Sequence, residues 1–170
     1  MSVGAADLAL EWWQAFGEAR VDALWQLSSR PVRFMLARAM VNDEVNALAA
    51  SGDHAGADGL LIACQGFALH GLKGPAWIQL EPLRARFFDP IDMEPLIRSM
   101  RIFPRTERDV ANYKQVTFYP PDTPPMPWII DPELRSIVGF AVVLRGSDDA
   151  GALGERIALD PIALWAAGVE

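Results

Sequence analysis

The hydrophobic period of this chain changes once. Apolar residues recur every three to four positions over the first hundred residues and every second position afterwards, which places helices first and a sheet last. In ADLALEWWQAFGEARV, Leu8, Trp12, Ala15, Phe16 and Ala19 share one helical face while Glu11 and Glu18 face water. VDALWQL reads as a short helix capped at Asp22 or a neighbour, and SSRP supplies Ser28 or Ser29 as the N-cap of a longer helix with Pro31 in its first turn. That helix carries Val32, Met35, Leu36, Ala39, Met40, Leu48 and Ala49 as far as Ser51 and Gly52, with a break at Asn42 as an alternative. SGDHAGADG reads as loop by composition. Over residues 59–72, Leu60, Leu61, Cys64, Phe67, Ala68 and Leu72 lie on one helical stripe, although Gly66 and Gly71 leave a strand open as the alternative. Residues 75–88 carry the same ambiguity and are read as helix, and DPIDMEPLIRSMRIFP predicts a further helix ending at Pro104.

After that the pattern alternates. YKQVTFY sets Lys114, Val116 and Phe118 on one face and Tyr113, Gln115, Thr117 and Tyr119 on the other, as a half-buried strand does. SIVGFAVVLRG is a continuous β-rich apolar run, expected of a strand covered on both faces, and WIID extends the same sheet. The closing RIALDPIALWAAGVE fits a strand, a short helix capped by Asp160, or a strand from Ala163 to Val169. The expected fold class is therefore α+β: one domain over 1–170, helical over 5–103 and strand-rich over 112–170, its helices packed on a mainly antiparallel sheet.

Between two of these strands lies YPPDTPPMPW, five of the chain's thirteen prolines within residues 119–128. Proline fixes φ, lacks an N–H and holds the preceding residue extended, so the run predicts a stiff loop. Such a loop loses little entropy on binding. It is read either as a spacer or as a docking surface with Trp128 as its anchor, and Trp128 leading into WIID favours an inward position.

At 170 residues with 51% hydrophobic content the chain is long enough for a core, and its net charge of −7 argues against a nucleic-acid partner. Cys64 is the only cysteine, so no internal disulfide forms. The N-terminus shows no basic segment or cleavage pattern, and no apolar run reaches the roughly 18 residues of a membrane span. A soluble, cytoplasmic protein is expected, with no membrane partner.

EWWQAF at the start, QVTFY and SIVGFAVVL later, and ALWAAGV at the end resemble the nuclear transport factor two-like superfamily. The resemblance covers the first helix and the last third of the chain. It implies the superfamily's α+β cone, a fold shared by many small pocket proteins that does not by itself determine activity.

Candidate chemistry is sparse. Cys64 and His70 are six residues apart, about 240° around a helix, so they share no helical face and form no local dyad. Asp53, His54 and Asp58 are types that bind metals or exchange protons, but plain turns have the same composition, and no metal or cofactor is expected. No familiar catalytic or nucleotide-binding motif occurs, and no catalytic residue is assigned. From Arg84 to Arg108 six arginines face four acids, a local balance of +2 that leaves −9 for the remainder. Arg98 and Arg101 within this stretch are candidates for gripping a carboxylate or phosphate. The face of Tyr113, Gln115, Thr117 and Tyr119 is the candidate pocket lining. The expected function is the binding of a small apolar or anionic molecule, with or without catalysis. The competing expectation is an interaction module or homodimer that uses the 119–128 loop.

Overall fold

The computed structural model describes residues 4–74, 76–121 and 125–140. Among them six α-helices precede a four-stranded antiparallel sheet, an α+β arrangement. The helices are α1 (Ala5–Gly17), α2 (Val21–Leu27), α3 (Arg30–Ala50), α4 (His54–His70), α5 (Ala76–Phe87) and α6 (Glu94–Ile102), with a 3-10 turn at Gly71–Lys73. The strands β1 (Arg105–Val110), β2 (Tyr113–Phe118), β3 (Met126–Asp131) and β4 (Ser136–Phe140) pair in sequence order.

The core forms where α1 meets the sheet. Trp12 and Trp13 stack along the helix, and both turn their rings toward Trp128 of β3 in edge contacts at 5.5 and 5.9 Å. Phe16 continues the cluster to Phe87 and Phe88 at 6.2 and 6.0 Å. Alternation along the strands delivers Val116, Phe118, Met126, Trp128, Ile130 and Ile137 to the same core. Gly17 ends α1 under tight confinement: a Cβ there would lie 2.1 Å from the sulfur of buried Met93, and its carbonyl accepts the Ile91 N–H at 2.8 Å.

Several local readings change. The loop expected at SGDHAGADG is mostly the first turns of α4, because Asp53 accepts the Gly56 N–H at 2.9 Å and so caps a helix that buries Ala57. Residues 59–70 and α5 are helix as read, even with Pro82 inside α5, and the strand alternative falls away. The alternative break at Asn42 is absent, since α3 runs unbroken through it. α2 is capped at Arg20, with Asp22 in its first turn.

Strand β1 was not expected, because RTERDV has no apolar alternation and five of its six residues are exposed. Pairing with β2 creates it, from Arg105 opposite Phe118 to Val110 opposite Tyr113. Charges line this outer edge, where they discourage pairing with another chain. The proline loop is shorter than expected: Met126, Pro127 and Trp128 belong to β3. Among the described residues β4 pairs with β3 only from Trp128 onward, so Pro127, opposite Thr117 of β2, has a ladder partner on one side alone and its missing N–H is tolerated. The other edge of the sheet meets the α2–α3 junction, where Ser28 bridges Ile137 and the Ser29 N–H donates to the Ile137 carbonyl at 2.9 Å.

Readings that involve Pro75, the stretch 122–124 and residues 141–170, including RIALDPIALWAAGVE, fall outside the described residues.

Candidate functional site

The strand face expected to line a pocket is a polar ladder. Tyr113 and Gln115 are half-buried, Thr117 is buried and Tyr119 is exposed, all on the side of β2 opposite Val116 and Phe118. Arg108 of β1 grips Gln115 Oε1 through Nε and Nη2 at 2.9 and 2.7 Å. Gln115 Nε2 then donates to Thr117 Oγ1 at 3.2 Å, and Thr106 Oγ1 lies 3.3 Å from the Tyr119 hydroxyl. Part of the face's hydrogen-bonding capacity is thus used between neighbouring strands.

The two candidate arginines lie elsewhere. Arg98 and Arg101 project from α6, a helix that packs on α1, and both are exposed. Arg98 pairs with Glu94 one turn earlier at 3.4 Å, a solvated helix-surface pair of small energetic weight. Trp128 has none of its surface exposed and lies against Trp12 and Trp13, so its ring is a core element and offers no anchor to a partner. His54 and Asp58 are exposed on α4, and no group of three or more His, Cys, Asp or Glu side chains among the described residues is placed to hold a metal.

A different site emerges between α2, α3 and the end of α4. A cleft of about 220 Å³ is lined by Asp22, Trp25, Gln26, Arg33, Leu69, His70, Gly71 and Lys73. Its floor is built by Trp25, whose indole N–H is shared between the carbonyls of Phe67 and Ala68 at 3.1 and 3.2 Å. The Ala68 carbonyl, one of those a helix leaves free at its C-terminus, is satisfied in this way, while the Phe67 carbonyl also accepts the Gly71 N–H. Gly71 then turns the chain with φ +58, a left-handed value suited to glycine, and a Cβ there would press on Trp25 Cδ1 at 3.2 Å. The turn delivers Lys73 to the rim beside His70.

Arg33 completes the cleft from α3. Its Nε donates to the Ser28 carbonyl at 2.9 Å, which fixes the guanidinium plane. Burial pulls its pKa below the usual arginine value, and the group stays charged. Among the described residues no carboxylate forms an ion pair with Arg33. Two cationic side chains and His70 therefore face a single carboxylate, Asp22, across a small concavity in a protein of net charge −7.

These residues come from four separate segments, so no spacing in the sequence announces them. The one usable signal was His70 followed by Gly71 and Lys73 at a helix end. Comparison with protein-family models, with curated proteins and with solved structures finds no match to this chain.

Proposed function

We propose that this protein binds a small anionic molecule, a carboxylate or phosphate, in the cleft between α2, α3 and the C-terminal end of α4. One observation carries the reading: Arg33 is half-buried, oriented by a backbone carbonyl, and without an acidic counterpart among the described residues. A partly desolvated guanidinium has already lost some hydration, and an anion arriving at its free edge supplies charge-assisted hydrogen bonds in return. Lys73 adds a mobile charge at the rim, and Trp25 and Leu69 supply apolar walls. Binding requires no catalytic group, and the reading assigns none.

Titration calorimetry with inorganic phosphate and with succinate tests the proposal. Ligands this small bind at a Kd of about 1 mM in a favourable site. Arg33→Gln and Lys73→Gln should each weaken binding by about tenfold, roughly one charge-assisted hydrogen bond's worth. Lys73 is exposed, so its variant separates loss of the site from damage to the fold. Absence of binding by both probes, or equal binding by both variants, would exclude the cleft as an anion site.

A further inference from the structure

Helix α4 has a second surface, which shares only Leu69 with the lining of the cleft. Ala55, Gly59, Ile62, Gly66 and Leu69 follow one another at intervals of four, three, four and three residues, the spacing of a helix-pairing seam. The seam faces outward: Ile62 is 69% exposed, Leu69 is 42% exposed, Ala55 and Gly59 are exposed, and only Gly66 is half-buried. The opposite face, through Ala57, Cys64, Phe67 and Ala68, is the one given to the core.

Gly59 is the informative residue. Glycine within a helix is unfavourable, and at Gly17 and Gly56 the surrounding space accounts for it, with Met93 lying against one position and the Asp53 carboxylate against the other. A Cβ on Gly59 would meet nothing within 4 Å. Nothing among the described residues therefore requires a bare backbone there, whereas a second helix approaching closely along the seam would.

We infer that α4 pairs with α4 of a second copy of this chain, antiparallel, about a two-fold axis through Ile62. Ile62 is the midpoint of His54–His70, so this axis sets Ile62 against its own counterpart and Ala55 against Leu69 of the other copy. Ala55 receives the larger Leu69, and Gly59 and Gly66 flank the central pair of Ile62 side chains and leave room for them. The ends of the helix carry complementary charge: Asp53 lies at the N-terminal end, His70 and Lys73 at the C-terminal end, and the antiparallel register brings each acid to the partner's basic end twice over. The helix dipoles oppose one another in the same arrangement. A contact about 25 Å long and 10 Å wide is well short of the roughly 800 Å² per partner of a standard interface, so the dimer is weak, with a Kd of about 10 to 100 μM.

Sedimentation of the full chain across that concentration range should show reversible monomer–dimer exchange. Ile62→Glu should weaken association at least about tenfold by placing two carboxylates on the axis. Gly59→Gln should do the same by bulk while leaving the thermal midpoint equal or higher, which separates blocked pairing from unfolding. Under mild oxidation, an Ala55→Cys variant mixed with a Leu69→Cys variant should give a mixed disulfide dimer, and Ala55→Cys alone should not. A chain that stays monomeric throughout, a dimer indifferent to Ile62→Glu and Gly59→Gln, or efficient cross-linking of Ala55→Cys to itself would each overturn the inference. Leu69, His70 and Lys73 also line the cleft, but Gly59 and Ile62 do not, so the Ile62→Glu and Gly59→Gln variants test pairing without touching the anion site.

Discussion

The indole N–H of Trp12 donates to the hydroxyl of Ser28 at 2.8 Å, and the same hydroxyl donates to the Leu24 carbonyl at 2.6 Å. Ser28 also bridges Ile137 of β4, and its carbonyl accepts from Arg33. One small, buried polar residue thus joins α1, α2, α3 and the sheet. Ser28→Ala keeps the volume nearly unchanged but removes the acceptor that Trp12 uses. A loss of about 1–3 kcal/mol of folding stability is expected in urea unfolding, the cost of disrupting a buried hydrogen bond. Unchanged stability would show that Ser28 is a spacer.

Trp128→Ala should cost about 3–5 kcal/mol, the range for truncating a large buried aromatic side chain. Self-association of the folded fraction should be unaffected, because the ring is fully buried against Trp12 and Trp13. A melt that does not move would contradict its place in the core.

Two glycine-to-alanine changes should have opposite signs. At Gly17 the new methyl collides with buried Met93, and overpacking of this kind costs about 1–3 kcal/mol. At Gly59 the methyl enters open space, and the gain in helix propensity is about 0.8–1 kcal/mol. Thermal melts of both variants at a concentration low enough to keep the chain monomeric check the pair.

Burial pushes the Cys64 thiol up to about 11, with Arg38 pulling weakly the other way. The unfolded chain begins to release this proton near pH 9, while the folded chain holds it to about 11. Stability from this group is therefore complete below pH 9 and declines between pH 9 and 11, since the unfolded state there binds fewer protons. Unfolding free energies of wild type and Cys64→Ala, compared across that window, should converge as pH rises. The native thiol should also resist alkylation at neutral pH and react once the chain is unfolded.

Wherever one face of an element carries a continuous apolar signal, the sequence was enough to read it. Trp12 and Phe16 announced α1, and Val116 with Phe118 announced the inner face of β2. β1 was not legible because its strand character comes from β2: Arg108 and Thr106 say nothing until Gln115 and Tyr119 lie opposite them. The start of α4 was hidden by glycines and aspartates that are common in turns, although Asp53 three residues before Gly56 is also the pattern of a cap. Pro127 was read as part of the stiff loop, but a missing N–H is tolerated at a strand position paired on one side alone. The cleft was invisible for a different reason. Asp22, Arg33, His70 and Lys73 belong to three helices and a turn, and only packing makes them neighbours.

The two edges of the sheet have a consequence for how the protein behaves when crowded. Fibril growth by strand addition needs each molecule to offer one open edge and accept another. Among the described residues β1 offers Arg105, Glu107, Arg108 and Asp109 to any incoming strand, and β4 is bonded at Ile137 to Ser28 and Ser29. One edge of the sheet is thus charged and the other engaged at Ile137, so among the described residues neither offers the open, uncharged strand from which such a stack extends.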